Sequence, residues 1–168
     1  TGGAGLRNVQ PLYGELASGG FAVAHNGNIS NAKVLRKELV SKGSIFQSTS
    51  DTEVIIHLVA TSRYPTVADR LIDALRLVEG AYALVVMTPA GMIACRDPLG
   101  IRPLVMGKMG DSVLIASESV AFDIVGAEMV REVEPGEMIQ VDFAGEVKSL
   151  HPFGNQRARP CIFEHVYF

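Results

Sequence analysis

The sequence lacks two features that would place it in a specialised class. Its longest uninterrupted apolar run covers residues 81–87, far short of the roughly 20 residues that a helix needs to cross a bilayer. It also lacks an excess of positive charge, because 15 Lys and Arg residues against 18 Asp and Glu residues leave a formal net charge of −3. Proteins that bind nucleic acids normally carry a basic surface. We therefore predict neither a membrane protein nor a nucleic-acid partner.

Cysteine is scarce, and there is no initiator methionine. The two cysteines, Cys95 and Cys161, show no metal-ligand spacing and are too few for a disulfide framework. Reduced thiols in the cytosol are therefore expected. The chain begins Thr1-Gly2-Gly3 without a signal-peptide pattern. It is expected to be either a trimmed chain or a fragment of a longer one.

The composition that remains is that of a globular domain. Of the 168 residues, 48% are hydrophobic and 20% are charged, which is enough apolar material for a core at this length. Apolar stripes predict helices near 31–41, from about Asp51 to Pro65, and over 67–78. Short β-rich runs then predict an antiparallel meander, at 81–88, 92–96, 104–107 and 113–117, followed by a helical segment at 121–125 and a strand pair, 137–142 with 146–150. The expected fold class is α+β, with helices on one side of an antiparallel sheet and a second, face-to-face sheet as an option.

The first candidate motif, His25-Asn26-Gly27-Asn28, follows a predicted strand at 21–25. Asn-Gly is a strong hairpin signal, so spacing alone favours a plain turn. In the alternative interpretation, the Asn26 amide and the Gly27 N–H donate to a developing oxyanion. Such a hole needs fixed donors, and glycine permits close approach of the reacting group.

A second motif, Ser50-Asp51-Thr52-Glu53, opens the second predicted helix. Ser50 and Glu53 fit a capping box, in which each side chain satisfies a main-chain donor of the first turn. Asp51 is favourably placed at the positive end of the helix dipole. An exposed carboxylate there is also able to pair with the ammonium group of a ligand.

The segment from Arg96 to Pro103 indicates a type I turn, with Asp97, Pro98 and Gly100 at preferred positions. Its arginines are expected to pair with Asp97 or Glu118 rather than to bind phosphate. Further along, Ser117-Glu118-Ser119 lacks the glycines of a nucleophile elbow, which favours a helix cap. The four histidines show no ligand spacing, and Cys95 is expected to be a small core residue.

Taken together, three segments resemble the class II glutamine amidotransferases: AHNGNISN at 24–31, STSDTE at 48–53 and GAYAL at 80–84. Three more narrow the resemblance to the amidophosphoribosyltransferases: RDPLGIRPL at 96–104, ASESVAFD at 116–123 and CIFEHVYF at 161–168. The resemblance implies the αββα sandwich of the N-terminal-nucleophile hydrolases, here without its first strands. It implies that Asn26 and Gly27 form the oxyanion hole and that Asp51 holds the α-ammonium group of glutamine.

The nucleophile of that family is a cysteine at the mature N-terminus, with its own α-amine as general base. Thr1 is not expected to replace it, because Gly2-Gly3 resembles sequence just after the family's glutamine-binding arginine. By this resemblance, residues 1–150 are a partial glutaminase domain, and 151–168 connect it toward a phosphoribosyltransferase domain that is absent from this sequence. The chain alone is expected to be inactive and to need no cofactor.

For the parent enzyme, the resemblance implies that ammonia from glutamine converts phosphoribosyl pyrophosphate to phosphoribosylamine, the first step of de novo purine synthesis. It implies Mg²⁺ with phosphoribosyl pyrophosphate in the second domain, and a cytoplasmic homo-oligomer. Some members carry a 4Fe–4S cluster, and Cys161 matches the position of one cluster ligand. An ordinary buried cysteine is the alternative at Cys161.

Three other interpretations stay open at this point. The first is another amidotransferase of the same class, hexosamine-forming or asparagine-forming, which the segments at 28–31 and 161–168 fit less well. The second is a non-catalytic regulatory module that keeps the fold. The third is a processed hydrolase with Thr1 as its nucleophile, against which the glycines that follow Thr1 count.

Overall fold

Two antiparallel sheets form the centre of the computed structural model, which describes residues 5–154 and 159. The larger sheet has six strands in the order β1-β2-β3-β4-β8-β9, and the smaller has three in the order β6-β5-β7. The strands run β1 Leu12–Leu16, β2 Gly19–Ile29, β3 Gly80–Thr88, β4 Gly91–Arg96, β5 Val105–Met109, β6 Ser112–Ala116, β7 Glu128–Glu132, β8 Met138–Val141 and β9 Val147–Leu150.

Three helices cover one face of the larger sheet: α1 Ala32–Ser41, α2 Thr52–Thr61 and α3 Val67–Leu75. Their apolar stripes pack onto side chains that alternate along β2 and β3, and the shared core includes Leu39, Ile55, Leu71, Phe21 and Leu84. A strand presents every second side chain to the same face, so this pattern fixes which side of β2 meets the helices. The three helix predictions are confirmed.

The opposite face of the larger sheet packs against the smaller one. A second buried cluster joins Ala94 of β4 and Ile139 of β8 to Leu104 and Val133 beside the smaller sheet. A short fourth helix, α4 Val120–Val125, buries Phe122 against this second sheet. The layers follow the order helix, sheet, sheet, helix, which confirms the predicted αββα sandwich.

Two expectations about the strands were wrong, and one strand was missed. Asn26-Gly27 is not a turn, because β2 continues to Ile29 and pairs with β3 at every one of these positions. The later strands do not form one meander, since β4 pairs with β8 while β5 pairs with β7 in the other sheet. The sequence interpretation also missed β7, whose residues are almost all exposed and therefore show no apolar alternation.

None of the helices in the described part of the chain combines the length and the apolarity that crossing a membrane requires.

Candidate active site

Strand β2 carries the first candidate residues near its end. One edge of this strand is fully paired, with Asn26 opposite Ala83 and Gly27 opposite Tyr82 of β3. On the other edge, the register of β1 reaches only as far as Val23. Within residues 5–154, no strand therefore pairs with the second edge of β2 beyond Val23.

Side chains occupy part of that second edge. The carboxamide of Gln10 accepts a hydrogen bond from the His25 N–H and donates one of 3.0 Å to the His25 carbonyl oxygen. Four residues on, the Ile29 N–H donates to Asp51 Oδ2 at 2.9 Å. Main-chain N–H groups alternate between the two edges of a strand. The Gly27 N–H thus faces the same edge, between Gln10 and Asp51.

Gly27 is a glycine for a steric reason. Its φ is +147°, a conformation that residues with a side chain rarely adopt. A Cβ at this position would also overlap the carbonyl oxygen of Ala81 and lie 2.9 Å from His25 Nε2. Close approach between β2 and β3 therefore requires glycine here. The glycine serves strand pairing and not a hairpin turn.

The Asn26 carboxamide is held at both ends. Arg102 Nη2 donates to Asn26 Oδ1 at 2.6 Å, and Asn26 Nδ2 donates to Ser117 Oγ at 3.1 Å. Sequence reasoning did not assign roles to Arg102, Ser117 or Gln10 in this site. Arg102 and Ser117 do lie in segments that carry the family resemblance, and that is the signal by which they could have been found.

Asp51 lies at the start of α2, beside His25. Asp51 Oδ1 is 3.8 Å from His25 Nδ1, which in turn lies 3.1 Å from Thr52 Oγ1. Burial lowers the pKa of His25 below its ordinary value, and this outweighs the opposing attraction of Asp51. His25 is consequently neutral near pH 7.

The expected capping box does not form. Asp51, not Ser50, occupies the N-cap position of α2, which moves the helix start one residue along the chain. The Ser50 hydroxyl accepts instead from the Thr52 N–H at 3.3 Å. The Glu53 carboxylate accepts from the N–H groups of Gln47 and Ser48, each at 2.7 Å. These contacts fix the segment that leads into Asp51.

The segment between β4 and β5 is wrapped around the Asp97 carboxylate. The Gly100 N–H donates to the Asp97 carbonyl oxygen at 2.9 Å, which confirms the predicted turn. Asp97 is fully buried, and its carboxylate accepts from the N–H groups of Leu99, Ile101 and Arg102 at 2.9 to 3.1 Å. The segment is thereby fixed by hydrogen bonds to one buried carboxylate.

The expected partners of the two arginines were wrong. Arg96 reaches Glu132 at 3.3 Å and donates to the Val133 carbonyl oxygen at 2.7 Å, while Arg102 reaches Asn26. The helix-cap interpretation near Ser119 holds for position alone: Ser119 is the N-cap residue of α4, but its side chain makes no capping hydrogen bond.

Cys95 is the cysteine that lies within residues 5–154. Cys95 is fully buried, and burial raises the pKa of its thiol, which confirms it as a core residue. The described residues hold no group of three or more His, Cys, Asp or Glu side chains able to bind a metal. Cys161 lies outside the described residues, as does Thr1, so its role as a cluster ligand stays a prediction.

Comparison with known proteins shows the family of the chain. Residues 6–123 match the family described as "Glutamine amidotransferase domain". The chain is 49% identical to an amidophosphoribosyltransferase of Rhizobium etli and 46% identical to that of Bacillus subtilis, over its full length but only 35% of each relative. The structure of the glutamine phosphoribosylpyrophosphate amidotransferase from B. subtilis, complexed with ADP and GMP, superposes with a TM-score of 0.93 at 45% identity, covering 98% of this chain and 36% of that one. The chain thus spans about a third of the length of these relatives, and it belongs to the family of glutamine amidotransferase domains.

Proposed function

We propose that this chain is the glutamine-hydrolysing part of an amidophosphoribosyltransferase. In the complete enzyme, ammonia released from glutamine would convert phosphoribosyl pyrophosphate to phosphoribosylamine, the first step of de novo purine synthesis. The observation that carries the proposal is the pair of adjacent donors at the end of β2. The Asn26 amide and the Gly27 N–H lie at the end of β2, where no strand of residues 5–154 pairs with its second edge, beside the Asp51 carboxylate.

The adjacent donors suit acyl transfer. In the proposed reaction a cysteine thiolate attacks the side-chain carbonyl carbon of glutamine, and the carbonyl oxygen becomes an oxyanion. Asn26 Nδ2 and the Gly27 N–H donate to that oxygen and stabilise the tetrahedral intermediate. The intermediate collapses to a thioester as the C–N bond breaks and ammonia leaves with a proton. Water then hydrolyses the thioester to glutamate.

Asp51 supplies the binding charge. We assign its carboxylate to the α-ammonium group of glutamine, because it accepts from the Ile29 N–H at the same edge of β2. Asp51 also borders a cavity of about 390 Å³, which Ser30, Lys33 and Arg36 help to line. A charge-assisted hydrogen bond of this kind contributes about 1.5–3 kcal/mol.

The attacking thiolate is not Cys95. Its sulfur is enclosed in the core between the larger sheet and the helices, and the raised pKa keeps it protonated. The proposal follows the family resemblance, in which the nucleophile is a cysteine at the mature N-terminus. The 168-residue chain as printed is accordingly proposed to release no ammonia from glutamine by itself.

The other parts of the reaction belong to the complete protein. We propose that residues 151–168 lead toward a phosphoribosyltransferase domain, which binds phosphoribosyl pyrophosphate with Mg²⁺, and that the enzyme is a cytoplasmic homo-oligomer. Iron analysis of the parent protein distinguishes a 4Fe–4S cluster with Cys161 as one ligand from the alternative of an ordinary buried cysteine. No step of the glutamine reaction above depends on a metal.

The test is Asn26→Ala in the complete protein that contains this chain. Glutamine-dependent formation of phosphoribosylamine should fall by about 10²–10³-fold in kcat, while the reaction with added ammonia should be unchanged. Asn31→Ala is the matched control, because Asn31 also makes two hydrogen bonds, with Leu77 and Glu79 at 2.9 and 3.0 Å, outside the proposed site.

Equal losses in the glutamine and ammonia reactions would contradict the proposal, as would equal effects of the two asparagine variants. A glutaminase that transfers ammonia to a different acceptor would indicate another amidotransferase of the same class. A complete protein without any glutaminase activity would indicate a regulatory module.

A further inference from the structure

We propose that Arg102 is a positioning residue that sets which end of the Asn26 carboxamide faces the reacting glutamine. This inference rests on the proposed function and adds to it a residue 76 positions away in the sequence. Asn26 has two nearly isosteric ends, a carbonyl oxygen and an amino group. Only the amino end stabilises an oxyanion, so the orientation of this side chain decides whether the site works.

The two partners of the Asn26 carboxamide differ in whether they distinguish its oxygen from its amino group. A guanidinium group only donates hydrogen bonds, so the atom that lies 2.6 Å from Arg102 Nη2 must be the oxygen. A hydroxyl both donates and accepts, so Ser117 Oγ, 3.1 Å from Asn26 Nδ2, is compatible with either orientation. Of these two partners, Arg102 alone discriminates between the ends of the amide.

Ser117 does not compete with this role. The amino group of Asn26 carries two protons. One proton serves the hydrogen bond to Ser117, and the second remains for the oxygen of the substrate. Arg102 and Ser117 together hold the plane of the amide, while Arg102 sets its direction.

Arg102 is itself fixed at its base. Its main-chain N–H donates to Asp97 Oδ2 at 2.9 Å, and its main-chain carbonyl oxygen accepts from Arg96 Nε at 2.8 Å. Arg96 further donates to the Gly100 carbonyl oxygen at 3.2 Å. The guanidinium of Arg102 therefore projects from a segment whose main chain is tied to a buried aspartate and a buried arginine.

Losing Arg102 should lower the rate more than the affinity. The terminal torsion of asparagine has a broad, two-fold profile, so without Arg102 the oxygen is free to turn toward the substrate. An oxygen in that place repels the oxyanion. Because the oxyanion forms only as the transition state is approached, the effect falls on kcat rather than on the binding of glutamine.

The experiment uses Arg102→Met and Arg102→Lys in the complete protein, with glutamine as substrate. Arg102→Met should lower kcat by about 10-fold or more, without exceeding the 10²–10³-fold expected for Asn26→Ala, and should leave KM for glutamine nearly unchanged. Lysine retains a donor, so Arg102→Lys should recover part of the loss. Arg70→Met is the matched control, since the guanidinium of Arg70 on α3 also donates hydrogen bonds within the protein, but to the main-chain oxygens of Tyr64 and Val59 and not to Asn26.

The double variant Asn26→Ala/Arg102→Met separates positioning from a general structural defect. If Arg102 acts through Asn26, Arg102→Met should have almost no further effect once Asn26 is alanine. The same fold-loss in both backgrounds, or a rise in KM at constant kcat, overturns the inference.

Two further outcomes distinguish this inference from the proposed function. Loss of activity in Asn26→Ala with full activity in Arg102→Met overturns only the role of Arg102. Full glutamine-dependent activity in Asn26→Ala overturns the proposed function, and the inference with it.

Discussion

The main-chain N–H of Ile29 donates a hydrogen bond of 2.9 Å to Asp51 Oδ2 and thereby joins the end of β2 to the first turn of α2. One oxygen of the carboxylate is thus used to hold the structure. The other, Oδ1, lies 3.8 Å from a neutral histidine ring. Asp51 therefore combines a structural contact to β2 with a negative charge, which we propose binds the ammonium group of glutamine.

Asp51→Asn should separate these two roles. The amide oxygen of asparagine still accepts from Ile29, whereas the negative charge is lost. KM for glutamine in the complete protein is expected to rise by about 10–100-fold, as the loss of a charged hydrogen bond implies, with a smaller change in kcat. Asp73→Asn serves as the control, since Asp73 lies on α3 and accepts a hydrogen bond from Ser62. A lower kcat with unchanged KM would argue against ammonium binding.

Gly27→Ala should destabilise the fold more than Gly43→Ala does. Both glycines have a positive φ, +147° and +97°, which costs a side-chain-bearing residue about 1–3 kcal/mol. A Cβ on Gly43 meets no atom within 4 Å, whereas one on Gly27 overlaps the main chain at Ala81. Urea unfolding of the two variants measures the difference in the free energy of unfolding. Similar losses would mean that β3 adjusts without cost.

The ion pair of Glu137 predicts a loss of stability in acid. Burial alone would raise the pKa of Glu137. Its carboxylate accepts two hydrogen bonds from Arg131, at 2.8 and 2.7 Å, and others from Ser149 and the Glu134 N–H. These contacts lower the pKa of Glu137 to about 2. A carboxyl group with a lowered pKa stabilises the folded state above its ordinary pKa of about 4.5 and loses this contribution as the pH falls toward 2. The contribution is about 3 kcal/mol.

Glu137→Gln tests the predicted direction in which the free energy of unfolding changes with pH. Between pH 5 and pH 2.5, the free energy of unfolding of the unmodified chain should fall by more than that of the variant, since glutamine does not titrate. Chemical denaturation at several pH values gives both slopes. Parallel slopes would show that Glu137 makes no contribution in this range. Because Arg131 lies in β7 and Glu137 directly precedes β8, the result reports on the contact between the two sheets.

Cys95→Ala should leave the glutamine reaction of the complete protein intact. The thiol is fully buried and its pKa is raised, so it is neither accessible nor ionised. Alkylation of Cys95 by iodoacetamide, followed by mass spectrometry, should be slow in the folded protein and fast in denaturant. Selective loss of the glutamine reaction in Cys95→Ala, with the ammonia reaction preserved, would contradict the assignment of the nucleophile to another residue.

The helices were predictable because their signals are local. The buried positions Leu35 and Leu39 of α1 lie one helical turn apart, and such stripes are visible without knowledge of the partner surface. Asn26-Gly27 misled for the opposite reason. Its local preference for a turn is real, but the pairing of β2 with β3 outweighs it, and that pairing depends on residues more than fifty positions away.

The candidate site residues also differ in whether their sequence signals are local. Asn26, Gly27 and Asp51 were predicted as site residues because they stand in short motifs that resemble those of the family, and their roles stay predictions. The contact between Arg102 and Asn26 was not, since the residue type and the spacing of Arg102 suit many partners equally well. The hydrogen bond between Arg102 and Asn26 joins residues 76 positions apart, so it depends on tertiary packing that local sequence signals do not show.

The carboxamide of Gln10 has a consequence for unwanted association. A strand from another chain that added to this edge of β2 would need the main-chain groups of residues 25, 27 and 29. Gln10 already holds those of His25, and Asp51 holds the N–H of Ile29. Among residues 5–154, Gln10 and Asp51 thus occupy main-chain groups on both sides of Gly27, so a strand that paired here would have to displace both side chains.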